Sequence, residues 1–162
     1  MSRVYLSLGS NLEPEKNLRD ALRELRERFG ALSVSSVYRS KAAGFDGPDF
    51  WNLAVGFDSE LDADSLQAWL HEMENRHDRR RDVPRYSDRT LDADIVAIDE
   101  RATARPELQH AFVLAPLADI APQVRAAASD KTIGELWARF SETNPGEARS
   151  LQWLNVELED NF

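Results

Sequence analysis

Polar and apolar positions alternate from the start of the chain. Val4, Leu6 and Leu8 are separated by Tyr5 and Ser7, the period of a strand with one face on a core. Gly9-Ser10-Asn11 reads as a turn, with Asn11 or Ser10 available to cap a helix and Pro14 suited to its first turn. Leu18, Ala21, Leu22, Leu25 and Phe29 then recur at helical spacing, and Gly30 stands where a C-terminal cap glycine belongs. Leu32 to Ser40 predicts a second strand, and the glycines and proline of Ala43 to Pro48 a loop. In a third strand, Phe50 to Phe57, Trp51, Leu53, Val55 and Phe57 share one face and Phe50, Asn52, Ala54 and Gly56 the other. Leu66, Trp69, Leu70 and Met73 form the apolar stripe of a second helix from about Asp62 to His77. A long charged loop around Pro84 leads to a fourth strand, Leu91 to Ile98, and two more helices are expected near Val113–Ile120 and Ile133–Phe140.

The order β-α-β-β-α-β followed by extra helices predicts an α+β, ferredoxin-like arrangement. A four-stranded antiparallel sheet would carry both early helices on one face and leave the other face for a ligand. The chain has 162 residues, no internal repeat and no dividing linker, so a single domain over residues 1–162 is expected, acting as a monomer.

Composition narrows the chemistry. Without cysteine there are no disulfides, zinc-thiolate sites or thiol catalysis. No run approaches the ~20 apolar residues of a membrane span, and Met1 to Leu6 lacks the apolar stretch of a secretion signal, so the expectation is cytoplasmic with no membrane partner. A net charge of −9 argues against a general nucleic-acid binder, which must neutralise phosphates. Yet Arg76 to Arg89 holds six arginines against three aspartates, a local balance of +3.

Asp92 and Asp94 stand two apart on a strand, so both carboxylates leave the same face roughly 6–7 Å apart along the backbone. Such a pair makes a hard oxygen site of the kind Mg²⁺ takes, with waters and phosphate oxygens completing its octahedron. Taken alone, it is also what a solvated strand end looks like. Arg79, Arg81, Arg85 and Arg89 precede it in the loop, and guanidinium forks grip phosphate oxygens. Carboxylates for a metal beside arginines for phosphates are what phosphoryl transfer requires, although a loop neutralised by its own Asp78, Asp82 and Asp88 is the plainer reading of the arginines. Phe50 can stack on a flat heterocycle while Asn52 offers a donor and an acceptor to its edge; an aromatic packed under a loop would look the same. Glu74 is either a surface charge or a nucleotide contact. Gly9-Ser10-Asn11 lacks the spacing and the lysine of a P-loop and is read as an ordinary turn. His71, His77 and His110 are not spaced as a metal cluster, and no nucleophilic triad stands out.

Five ordered segments resemble the hydroxymethyldihydropterin pyrophosphokinases of folate synthesis. Arg89-Thr90-Leu91-Asp92-Ala93-Asp94-Ile95 is similar to their signature and Leu8-Gly9-Ser10-Asn11-Leu12 to their opening motif. Val34 to Ser40 resembles their second strand, Pro48-Asp49-Phe50-Trp51-Asn52 their pterin-contacting strand, and Phe112 to Leu117 with Ile120-Ala121-Pro122 their C-terminal motif. The resemblance implies transfer of pyrophosphate from ATP to a reduced pterin with release of AMP. Asp92 and Asp94 would hold two Mg²⁺ ions. Arg79, Arg81 and Arg89 would contact phosphates, with Arg85 in the same loop, and Glu74 and Ile95 would contact the nucleotide. Phe50 and Phe112 would sandwich the pterin, Asn52 would bond its edge, and Ser40, Ala42 and Ala43 would complete the pocket through their backbone.

The chain departs from that pattern in three places. Tyr86-Ser87-Asp88 replaces the family's Trp-Gly-Pro, and Lys41-Ala42-Ala43-Gly44 its Pro-Pro-Leu-Gly. Asp99 to Ala111 is shorter than the family's segment, with Glu107 after Pro106 and His110 in place of an arginine. Asp88 and the shortened segment fall on the nucleotide side, so a looser grip on ATP than on the pterin is expected. A paralogue with altered activity or a pterin-binding role, and an RNA-binding sheet, are the competing readings.

Overall fold

A computed structural model describes residues 1–41, 47–77 and 91–158. Strand β1 (Ser2–Ser10) lies in the middle of one sheet, antiparallel to β4 (Phe50–Ser59) on one side and to β5 (Asp92–Ile98) on the other. On the far side of β4 lie β2 (Ser33–Val34) and β3 (Val37–Ser40). The four expected strands thus stand in the order fourth, first, third, second, and the fold is ferredoxin-like.

Leu6, Leu8, Leu53, Val55, Phe57, Ala93 and Ile95 of the sheet meet Leu18, Leu22 and Leu25 of α1 (Pro14–Phe29) and Leu66, Leu70 and Met73 of α2 (Ala63–Arg76). Helix α2 starts where Asp62 accepts a hydrogen bond from the Ser65 N–H at 2.7 Å, a contact that holds this exposed carboxyl below the ordinary carboxylate range. Helix α1 is not capped by Ser10 or Asn11. The Ser10 hydroxyl and the Asn17 amide both donate to the Leu12 carbonyl, Asn11 donates to the Pro48 carbonyl, and the helix begins after Glu13, whose φ is 44°. Gly30 closes α1 at φ 88°, its N–H on the Arg26 carbonyl at 2.9 Å.

The second strand is broken in two. Ser35 puts its hydroxyl on the Ala54 N–H at 2.8 Å while its own N–H donates to the Ala54 carbonyl at 2.9 Å. One residue more on this strand than on β4 therefore fits between Val34, opposite Val55, and Tyr38, opposite Asn52, as in a β-bulge. After β5 a tight turn at Asp99, φ 55°, leads into the short β6 (Arg101–Ala102). Asp99 is held there by accepting the Arg3 N–H at 2.9 Å and by donating its own N–H to the Arg3 carbonyl at 2.6 Å.

The opposite face of the sheet is not left wholly open. Helix α3 (Ala111–Ile120) lays Val113, Leu114 and Leu117 on Tyr5, Ala54, Val96 and Ala97, and Ile133 of α4 (Ile133–Thr143) joins this second core. The expectation of a free face is corrected to half a face: the apolar C-terminal helices cover one end, and Phe50, Asp92 and Asp94 lie half-buried at the other. A short helix α5 (Pro145–Ser150) and an edge strand β7 (Gln152–Leu154), paired with β3, complete the described chain. No described helix is long and apolar enough to cross a membrane.

Tyr5 covers Gly56, its cross-strand partner, so closely that a Cβ there would meet ring atoms at 2.8 and 2.9 Å. Gly56→Val is expected to lower unfolding stability by about 1–3 kcal/mol, as overpacking does, and a urea titration measures it.

Candidate active site

The register of β1 assembles the site. Gly9 stands opposite Asn52 on one neighbour and opposite Asp92 on the other; Ser7 likewise stands between Ala54 and Asp94. With strands about 4.8 Å apart, Asn52 and Asp92 are separated by roughly 10 Å of sheet with only a glycine between them. A Cβ at Gly9 would come within 3.0 Å of Asn52 Oδ1 and 3.9 Å of the Phe50 ring. Gly9, read from sequence as a turn residue, is a strand residue that leaves room for the Asn52 side chain.

Asn52 is buried, and its Nδ2 donates to Ser40 Oγ at 2.9 Å. That bond fixes the amide plane and presents Oδ1 over Gly9. Phe50, two residues before Asn52, shares its face of β4 and pairs in register with Ser40. Phe112 reaches the same side of the sheet from the first turn of α3.

Helix α3 is pinned at both ends. At its start Glu147 of α5 accepts the Ala111 N–H at 2.8 Å and lies 3.6 Å from His110 Nδ1. The His110 ring stacks on Phe112 at 5.2 Å with planes 11° apart. At its other end Asp119 accepts the Tyr38 hydroxyl at 2.8 Å. Burial together with this carboxylate pushes the Tyr38 hydroxyl well above its ordinary range, and burial likewise raises Asp119. His110 is therefore engaged with Phe112 and Glu147. The α5 contact was illegible in the sequence, where six residues carry too little periodicity to declare a helix.

Asp92 and Asp94 leave β5 on the same side as Asn52, as their spacing predicts. Between them the Ala93 N–H donates to Glu74 Oε2 at 2.9 Å. Glu74 is only 1% exposed, which removes the surface-charge reading: it holds the strand that carries the aspartates. Ile95 turns its side chain into the helix-side core, away from the aspartates, and meets this face through its carbonyl oxygen alone. Ala42, Ala43, Arg79, Arg81, Arg85 and Arg89 lie outside the described residues.

Arg105 is the site residue that sequence reasoning missed. Its Nη2 lies 2.9 Å from Asp94 Oδ1, and its Nε donates to the Ile95 carbonyl at 3.3 Å. The only hint in the sequence is an arginine just ahead of Pro106 in the shortened segment.

Burial first, and then the charge of Asp92, push the Asp94 carboxyl up to about 7; Arg105 opposes them, while Glu107 and Glu74 add to the rise. A carboxyl whose ionisation is opposed by burial and by a second carboxylate is a site that a hard cation would relieve. This donor set fits Mg²⁺, which needs one or two protein carboxylates and takes its other oxygens from water and phosphate. Among the described residues no group of three or more His, Cys, Asp or Glu converges as a cage for a metal.

Residues 5–122 match the family described as 7,8-dihydro-6-hydroxymethylpterin-pyrophosphokinase. A protein of Pseudomonas aeruginosa named 2-amino-4-hydroxy-6-hydroxymethyldihydropteridine pyrophosphokinase is 38% identical over 138 residues, covering 77% of this chain and 84% of its own. One of Bacillus subtilis with the same name is 33% identical, covering 78% and 82%. In structure, the chain is similar to the wild-type HPPK-DHPS of Plasmodium falciparum, with a TM-score of 0.74 at 12% identity over 96% of this chain. It spans 48% of that longer chain, and the likeness speaks for the fold alone.

The raised Asp94 carboxyl sets a pH dependence. The folded chain keeps a proton that the unfolded chain gives up near the ordinary value of 3.8, so this contribution to stability is full below that pH and lost as pH rises through about 7. Without divalent cations, the wild type should therefore lose stability between about pH 4 and 7, and Asp94→Asn should flatten that slope. Chemical denaturation at a series of pH values, with a chelator present, measures both.

Proposed function

This chain belongs to the 7,8-dihydro-6-hydroxymethylpterin-pyrophosphokinase family, and we propose that it transfers the pyrophosphoryl group of Mg-ATP to the hydroxymethyl group of a reduced pterin. The observation that carries the reading is the register at Gly9, which puts Phe50 and Asn52 on the same sheet face as the carboxylates Asp92 and Asp94. Relatives with the pyrophosphokinase name support the same reading.

In this reading Phe50 and Phe112 receive the faces of the pterin ring. Asn52, its amide held by Ser40, reads the ring edge through Oδ1 and its second N–H. Glu74 keeps β5 in place, where Asp92 and Asp94 would hold two Mg²⁺ ions. Once bound, the metal would supply charge neutralisation across the phosphates. Arg79, Arg81, Arg85 and Arg89 serve the polyphosphate chain, and the Ile95 backbone borders the nucleotide. The acceptor hydroxyl oxygen forms a bond to the β-phosphorus, the bond from that phosphorus to the α,β-bridging oxygen breaks, AMP leaves and the hydroxyl proton is released. Every group here acts by positioning and by electrostatics, which is how phosphoryl-transfer enzymes gain most of their rate.

The direct test is incubation with ATP, Mg²⁺ and 6-hydroxymethyl-7,8-dihydropterin followed by chromatography. AMP should accumulate in step with the pterin diphosphate; ADP in its place would overturn the assignment. Asp92→Asn and Asp94→Asn should each lower kcat at least roughly a hundredfold while thermal unfolding stays cooperative.

Gly9→Ala separates the two substrates. The new methyl pushes Asn52 Oδ1 from its place, so KM for the pterin should rise about tenfold, the value of one lost hydrogen bond, with KM for ATP nearly unchanged. Steady-state kinetics with each substrate varied in turn checks this.

A further inference from the structure

Asp94 is paired with a cation that the chain itself supplies. The guanidinium of Arg105 divides its fork between the Asp94 carboxylate at 2.9 Å and the Ile95 carbonyl at 3.3 Å. Its position is built by the backbone. Thr103 donates its N–H to the Val96 carbonyl at 2.8 Å, and its hydroxyl reaches the Ile95 and Val96 carbonyls at 3.3 Å each. Pro106 then restricts Arg105 to the extended conformation it adopts, φ −78° and ψ 136°. The arginine stem is thus fixed beside β5 while its head stays at the surface: the paired side chains are 33% and 24% exposed. Such a pair, partly exposed, can part without opening the core.

We propose that Arg105 is the resident counter-ion of Asp94, displaced when a divalent cation binds and then presented to the phosphate oxygens of the nucleotide that accompanies it. The proposal rests on the metal reading of Asp92 and Asp94. Charge explains both halves. Glu74, Asp92, Asp94 and Glu107 act together on this spot, and Arg105, 2.9 Å from Asp94, is a cation set against them. A metal ion that takes Asp94 supplants the arginine's role and leaves a forked donor next to a site about to receive a polyanion. Guanidinium groups match phosphate oxygens in geometry and keep their charge throughout.

The test uses the full chain and two probes. Binding of Mn²⁺ alone is followed by electron paramagnetic resonance, and binding of a non-hydrolysable ATP analogue with Mn²⁺ by calorimetry. Arg105→Gln should bind Mn²⁺ alone about threefold more tightly, since a competitor is gone. The same variant should bind the nucleotide about tenfold more weakly, since a charged donor is gone. Arg105→Lys keeps the charge but not the fork and should shift both values the same way by less; it carries the comparison should Arg105→Gln fail to fold. Unchanged or weaker Mn²⁺ binding would overturn the counter-ion role. Nucleotide binding that stays the same or tightens would overturn the transfer to phosphate. Mn²⁺ binding that survives both Asp92→Asn and Asp94→Asn would instead remove the underlying metal reading, whatever Arg105 does.

Discussion

One pairing constraint organises the molecule: β1 must hydrogen-bond to two partners at once, in a register that puts Gly9 between Asn52 and Asp92. A slip by a single residue on either side would turn a whole strand over, sending Asn52 or the aspartates into the helix-side core and Leu53 or Ala93 out of it. The apolar set Leu6, Leu8, Leu53, Val55, Ala93 and Ile95 prevents that slip, because every one of these residues is buried against α1 and α2. The force that keeps the candidate site together is thus the hydrophobic core on the other side of the sheet. The polar residues themselves contribute little to it.

Polar contacts do the finer positioning. Glu74 holds β5 from beneath, Ser40 sets the Asn52 amide, and Tyr38 and Glu147 fix the two ends of the helix that carries Phe112. Each places a hydrogen bond at a point where the apolar core alone would leave a side chain or a strand edge free to move. The cost is concentrated at Asp94, where burial and neighbouring carboxylates oppose ionisation. A site designed only for stability would not gather that much negative charge.

The strand faces were legible in the sequence because alternation is local: Trp51, Leu53, Val55 and Phe57 against Phe50, Asn52 and Ala54 needs no partner to be read. The Asp92–Asp94 spacing and the α1 and α2 stripes were legible for the same reason. Gly9 was not, because its meaning depends on which residues face it across two other strands. Arg105 was not, because its bond to Asp94 crosses a hairpin turn that only the Asp99 conformation reveals. The buried state of Glu74 was hidden at the edge of a helical stripe, where a glutamate is as good outside as in. The break at Ser35 was hidden because a serine hydroxyl replaced a strand hydrogen bond, a substitution that leaves no mark on hydrophobic pattern. The covering of half the second sheet face followed from Val113, Leu114 and Leu117, apolar residues whose helix was anticipated but not its destination.

The family match ends at residue 122, yet the support for Phe112 does not. Glu147 on α5 holds the first turn of α3, and β7 extends the sheet edge at β3 beyond Tyr38. A chain trimmed to the matched segment would retain every candidate residue named from the sequence and lose the contacts that brace Phe112 and the β3 edge. The last quarter of the chain is therefore scaffold for the rest: through a few atoms it braces the segment that the family shares.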